Sequence, residues 1–133
     1  MNQKKLVIHD YRGAAGDSAG RVEWRGKFLQ LTVHGREFLL FAPSELHSYH
    51  NQILGHYLSE TGVPYRWIEQ DILKYDFPAL TVIGGGRYRL DTRHRRLELW
   101  DNSQAYGRFD PTGLAEKIAG ADHPWSSFSI DIK

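Results

Sequence analysis

Leu80-Thr81-Val82-Ile83-Gly84-Gly85-Gly86-Arg87-Tyr88-Arg89-Leu90 is the stretch on which the fold turns. Residues 80–83 are rich in β-branched side chains and read as strand, as do residues 88–90 and 97–100, which the basic turn 91–96 joins. The three glycines between them permit two readings. One is a flexible bend or bulge within a sheet. The other is a backbone that lets an anion approach its N–H groups, with Arg87 adding a planar donor fork. The run lacks the Gly-Lys-Ser/Thr ending of a P-loop, opens no helix, and does not fit the spacing GxGxxG.

Outward from this stretch, Phe28, Leu29, Leu31 and Val33 mark a strand over 27–33, and residues 37–41 are apolar. His34-Gly35-Arg36 between them is a turn, so the pair reads as a β-hairpin. Residues 5–9 read as a short strand, followed by the small, polar Gly13-Ala14-Ala15-Gly16-Asp17-Ser18-Ala19-Gly20 as a flexible segment. The clearest helix spans 44–60. Ser44 is its expected N-cap after Pro43, Leu46, Tyr49, Ile53, Leu54, Tyr57 and Leu58 recur at three- and four-residue spacing, and Gly62 is the stop. Residues 65–73 read as a strand or a short helix, ended by Phe77-Pro78. Asp110-Pro111 is the expected opening of a second helix that ends near Gly120, and Phe128, Ile130 and Ile132 alternate in a closing strand. The expectation is a single α+β domain over residues 1–133: a mixed, mostly antiparallel β-sheet flanked by two main helices, with an N-terminal strand and flexible loop in 1–25.

The chain of 133 residues carries 41% apolar and 13% aromatic side chains, enough material for one core. Its 17 basic and 16 acidic side chains leave a net charge of +1, so anion recognition has to be local, and no nucleic-acid partner is expected. Three apolar residues, Leu6-Val7-Ile8, follow the N-terminal Met1-Asn2-Gln3-Lys4-Lys5; they are too few for a secretory or membrane segment. The absence of cysteine excludes disulfides, thiolate catalysis and cysteine zinc sites, and fits a reducing, cytoplasmic setting.

His50 lies four residues after Leu46 and four before Leu54, on the inward stripe of the helix. It reads either as a satisfied core histidine or as an imidazole in a half-buried cleft, where small shifts set its charge near neutral pH. His47 and His56 share that helix, but neither forms HExxH with it; His47 reads as an exposed edge residue, and no metal is expected. Asp101-Asn102-Ser103-Gln104-Ala105-Tyr106-Gly107 follows a strand and reads as an ordinary loop or an anion-binding nest. Lys27 reads as a solvated strand-end residue or a phosphate-facing ammonium. Arg93-His94-Arg95-Arg96 reads as a solvated turn, the four tryptophans as packing residues, and no GxSxG is present.

Taken in order, Lys27-Phe28, Tyr49-His50, Gly84-Gly85-Gly86-Arg87 and Ser103-Gln104-Ala105-Tyr106-Gly107 resemble the janus/ocnus family of phosphohistidine phosphatases. The resemblance runs from about residue 26 to the C-terminus. It implies a mixed sheet flanked by helices and a metal-independent phosphatase acting on phosphohistidine or related P–N (phosphoramidate) substrates. His50 is then the general base or nucleophile, and Lys27, Tyr49, Gly86, Arg87, Ser103, Gln104 and Ala105 bind the substrate. No cofactor is implied, the partner is a phosphohistidine-bearing protein or a small phosphoramidate, and a monomer is expected. Two departures stand out. Ala42 occupies the position, eight residues before the histidine, where the family's phosphatase has an arginine, so Arg25, Arg36 or Arg108 would have to supply that charge. Residues 63–79 look like inserted material. The rival classes are a noncatalytic phosphate- or phosphoprotein-binding module on the same fold, and an RNA-contacting domain using residues 93–96.

Overall fold

The computed structural model describes residues 5–16, 19–69 and 72–133. Strands β2 (Glu23–Val33) and β3 (Arg36–Pro43) form the expected hairpin. His34 and Gly35 at its turn both have positive φ, 50° and 77°, as the tight two-residue turns that match strand twist require. The long strand β6 (Leu80–Asp91) pairs antiparallel with β2 from Glu23 opposite Asp91 to Val33 opposite Leu80. Strand β1 (Val7–Asp10) adds parallel to β3, β7 (Arg96–Trp100) antiparallel to β6, and β8 (Ser129–Ile132) parallel to β7. The sheet order is β1-β3-β2-β6-β7-β8, a mixed, mostly antiparallel sheet in an α+β fold.

The glycine run does not interrupt this sheet. Gly84, Gly85 and Gly86 stand in register with Gln30, Leu29 and Phe28, and the irregularity comes just before them, where Val82 faces Leu31 and Ile83 is skipped. Close neighbours explain the glycines. A Cβ at Gly84 would lie 2.2 Å from the Arg108 carbonyl oxygen, and one at Gly86 would lie 2.5 Å from that of Trp100. A chain crossing and a neighbouring strand fill the space that a side chain would need.

Helix α1 (His50–Thr61) starts later than the sequence pattern predicts, and Ser44 does not cap it. The Pro43 carbonyl accepts from both Leu46 N and His47 N, at 3.0 and 3.1 Å, and this closes a separate turn before the helix. Tyr49 is the N-cap, and the Gln52 side-chain oxygen reaches back to Ser48 N and Tyr49 N at 2.8 and 3.1 Å. The helix ends at Gly62 as expected, in the left-handed conformation at φ 77°. Asp110-Pro111 likewise makes a turn, with Asp110 Oδ1 accepting from Thr112 N at 3.0 Å, so α2 (Leu114–Ala119) opens only after Gly113. Residues 65–75, open between strand and helix in the sequence, form a separate antiparallel hairpin of β4 (Tyr65–Glu69) and β5 (Ile72–Tyr75). Part of the expected N-terminal loop is a short 3-10 helix, Tyr11–Ala15, while Asp17 and Ser18 lie outside the described residues.

Two cores result. Ile53, Leu54, Tyr57 and Leu58 of α1 pack on Leu29, Leu31, Leu40 and Ala42 on one sheet face. Phe28, Phe41, Tyr88, Leu90 and Leu99 face the opposite way, against Leu114, Ile118, Phe109 and Trp125. The Phe28 ring, fully buried, lies 5.3 Å from Phe41 and 4.9 Å from Phe109; truncating such a ring to alanine costs about 3–5 kcal/mol. Among the described residues, no helix is long and apolar enough to cross a membrane.

Candidate functional site

The register of the sheet sets out the site. Ala42, Lys27, Arg87 and Trp100 lie side by side across β3, β2, β6 and β7. One step along the same face, about 7 Å at strand rise, come Leu40, Leu29 and Gly85. Lys27 therefore sits within β2, not at its start. Helix α1 covers the second row and Ala42, and Lys27 and Arg87 of the first row lie toward its N-terminus, where the helix carries partial positive charge.

His50, the first residue of α1, is only 5% exposed. Its ring rests on Gly85: a Cβ at that position would lie 2.6 Å from His50 Cδ2 and 2.7 Å from Nε2. Nε2 lies 3.1 Å from the Gly86 carbonyl oxygen, and the Phe28 carbonyl also acts on the ring. A carbonyl only accepts, so this contact assigns the ring hydrogen to Nε2 and the lone pair to Nδ1. Among the described residues the fully buried side-chain atoms left unpaired are Trp24 Nε1 and Tyr88 OH, and neither nitrogen of His50 is one of them. Burial is the main influence pulling the His50 pKa below its ordinary value. The Gly86 and Phe28 carbonyls oppose it, and the charges of Lys27 and Arg87 reinforce it. The imidazole is therefore neutral at pH 7, with a usable lone pair.

The other sequence-derived residues gather unevenly around this ring. Lys27 Nζ lies 5.3 Å from the centroid of the Tyr49 ring, which is 64% exposed. The Arg87 guanidinium already holds Asp101, Nε to Oδ2, at 3.1 Å. Ser103 and Gly107 close a three-residue loop, with Ser103 N to Gly107 O at 2.9 Å and Gly107 N to Ser103 O at 2.7 Å. Gly107 supplies the positive φ, 80°, that such a loop needs. Ser103 Oγ accepts from Tyr106 N at 3.1 Å, so this buried serine builds the loop and does not face a ligand. Gly86 likewise enters through its carbonyl, as a support for His50. At the loop tip Gln104 and Ala105 are exposed, and no described protein group accepts from their N–H groups.

Two attachments carry this loop to His50. Gly85 N donates to Gly107 O at 3.0 Å, and the Tyr106 hydroxyl donates to Asn51 Oδ1, one residue after His50. Asn51, the Phe28 carbonyl and the role of Asp101 as counterion are not readable in the sequence, because each depends on a tertiary partner. The charge missing at Ala42 is not replaced. Ala42 is fully buried, Arg25 pairs with Glu23 at 3.3 Å, Arg36 reaches the Lys5 carbonyl at 3.4 Å, and Arg108 is held by the Asp101 and Lys133 carbonyls at 2.9 and 2.8 Å.

Elsewhere, His47 is half-buried, and its Nε2 meets His56 Nδ1 at 2.8 Å, while Tyr11 stacks on His56 at 4.0 Å. Among the described residues no three His, Asp or Glu side chains are grouped to hold a metal. Trp24 and Trp125 are core residues, but Trp67 is 40% exposed. No protein-family model matches this chain, and no curated protein is significantly similar to it.

Proposed function

We propose that this chain is a hydrolase of P–N bonds, acting on phosphohistidine or related phosphoramidates in the manner of the janus/ocnus phosphatases. The observation that carries the reading is the seating of His50. Its Nε2 is fixed on the Gly86 carbonyl, which leaves the Nδ1 lone pair on a neutral ring beside the ammonium of Lys27.

In this mechanism Lys27 and the N–H groups of Gln104 and Ala105 hold the phosphoryl oxygens, and the N-terminus of α1 adds positive potential. Arg87 supports them from the next strand. Water attacks phosphorus: a P–O bond forms, the water proton passes to His50 Nδ1, and the P–N electron pair leaves with the amine. That amine then takes the proton from His50, so phosphoramidate and water give amine and phosphate. Direct attack by Nδ1 uses the same lone pair: a P–N bond to His50 forms as the substrate's P–N bond breaks, the departing amine takes a proton from water, and water or hydroxide later cleaves the bond to His50 to release phosphate. A positioned base of this kind contributes about 10²–10⁴-fold. In a ³¹P NMR time course with phosphohistidine, the wild-type protein should release phosphate with chelator present, and His50→Ala should not. Wild-type turnover by His50→Ala would refute the assignment.

A second reading, a noncatalytic phosphate- or phosphoprotein-binding module, is favoured by one observation. Arg87 is occupied by Asp101, and alanine stands at position 42, so the site has less free positive charge than the resemblance implies. Phosphate binding without hydrolysis of any P–N substrate is its signature.

A further inference from the structure

His47 stands in the turn that leads into α1, and its ring is turned back onto the helix. Its Nε2 meets His56 Nδ1 at 2.8 Å, with ring centroids 5.1 Å apart and planes at 85°. At that separation the facing nitrogens lie between the two rings and share one hydrogen, one nitrogen donating and the other accepting. Nitrogens aimed at each other do not converge on a third point, and among the described residues no third His, Asp or Glu joins them to hold a metal.

The groups around the pair come from every element packed there. From the 3-10 helix, the Tyr11 ring stacks on His56 at 4.0 Å, and its hydroxyl donates to Glu60 at 3.0 Å. From β1, His9 Nδ1 meets the same Glu60 oxygen at 3.2 Å. From α1 come Tyr57 and Glu60 itself, four residues after His56. In the turn, Glu45 is taken up by Arg21 at 2.6 Å. The Glu60 carboxylate is thus engaged by Tyr11 and His9, while the facing nitrogen of each imidazole has the other imidazole as its partner.

Protons enter such a pair unequally. The first makes one ring an imidazolium, which still donates to its neutral neighbour in a charge-assisted bond. The second leaves both facing nitrogens as N–H donors on two like charges, and the contact has to open. Burial first, then the charge of His56, pull the His47 pKa below its ordinary value, so this second step belongs to acid solution. What the contact holds is the approach to Lys27. Two residues after His47, at the end of the same turn, the Tyr49 ring lies with its centroid 5.3 Å from Lys27 Nζ.

We propose that the His47–His56 pair is a proton-sharing latch, which holds residues 44–49 so that Tyr49 stays over Lys27, and which double protonation releases. His47 is then a positioning residue that acts on Lys27 through Tyr49. The inference concerns the placement of Lys27, and it holds whether the site hydrolyses its ligand or only binds it.

The test is NMR on the ¹⁵N-labelled protein, with no substrate present. At about pH 7.5, a coupling across the hydrogen bond should join His47 Nε2 to His56 Nδ1. Down to about pH 4.5 that coupling should survive the first proton and vanish with the second. The Lys27 side-chain signals, displaced by the Tyr49 ring, should move toward those of a free lysine at the same step. His50 also titrates beside Lys27, and its own ring signals separate that event from the latch. His47→Gln puts an amide near the Nε2 position that can turn to donate or accept. It should keep the neutral-pH Lys27 signals and lose the acid step. His56→Asn, whose amide matches Nδ1, makes the same test from α1 should the first variant fail to fold. No coupling at neutral pH, a coupling that persists once both rings are charged, or an acid step at Lys27 that survives the substitutions would overturn the latch.

Discussion

Gly85→Ala is the substitution most directly set by the geometry. The new methyl would lie 2.6 Å from His50 Cδ2 and 2.8 Å from the Phe28 carbonyl oxygen. The carbonyl belongs to the backbone of β2, so the imidazole has to yield, by about 1 Å to reach ordinary carbon–carbon contact. A retreat of that size stretches the 3.1 Å contact between Nε2 and the Gly86 oxygen beyond hydrogen-bonding range. Overpacking costs about 1–3 kcal/mol, and a buried unpaired group costs about 1–3 kcal/mol. Alanine in a strand returns about 0.5–1 kcal/mol of backbone entropy. Because the first two costs overlap, the net loss is about 1–3 kcal/mol, read by urea unfolding. A catalytic group displaced by about 1 Å loses on the order of 10²-fold in turnover. Imidazole ¹⁵N spectra should show the protonated Nε2 signal lost or shifted. Gly84→Ala separates stability from site geometry, because its methyl meets the Arg108 backbone at 2.2 Å and not the histidine. It should lower stability further while keeping the Nε2 signal. A Gly85→Ala protein with wild-type stability and an unchanged imidazole spectrum would refute the reasoning.

Lys27→Met should weaken phosphate binding about tenfold to a hundredfold, the usual worth of a charged hydrogen bond. The same change should raise the His50 pKa, since the Lys27 charge now pulls it down; a histidine NMR titration reads the direction. Asp101→Asn suits the backbone there, at φ 73°, and frees Arg87. Calorimetry should show phosphate binding about threefold tighter, because exposed pairs hold under about 1 kcal/mol. Burial is the main cause that depresses His47, His50 and His123. The unfolded chain protonates them near pH 6.5 and the folded chain only lower, so their contribution is complete above about 6.5 and is lost as pH falls through the folded values. Urea unfolding at pH 7.5 and 5.5 should show lower stability at 5.5, and equal stabilities would contradict this.

Much of the framework was legible because it is locally encoded. The His34-Gly35 turn needs only positive φ, the apolar spacing of 53–58 needs only a helix, and Gly62 stops it. Departures arose where a tertiary contact overrides a local signal. Ser44 lost the cap because the Pro43 carbonyl captured two N–H groups first. Gly84-Gly85-Gly86 suggested a break or an anion cradle, yet their absent side chains make room for Arg108, the His50 ring and Trp100. The burial of His50 was legible from Leu54 four residues on, although Leu46 lies outside the helix, and its tautomer depends on a carbonyl from residue 86. Lys27 and Arg87 are neighbours only through the register of β2 with β6, which no single stretch of sequence discloses.

Titration of the ¹⁵N-labelled protein with inorganic phosphate tests the proposed anion site without relying on any substrate. The amides of Gln104 and Ala105 and the His50 ring should shift together along one binding curve, and Lys27→Met should weaken that curve. Shifts confined to the Arg89–Arg96 end of the sheet, or a His50 ring that ignores saturating phosphate, would contradict a shared site.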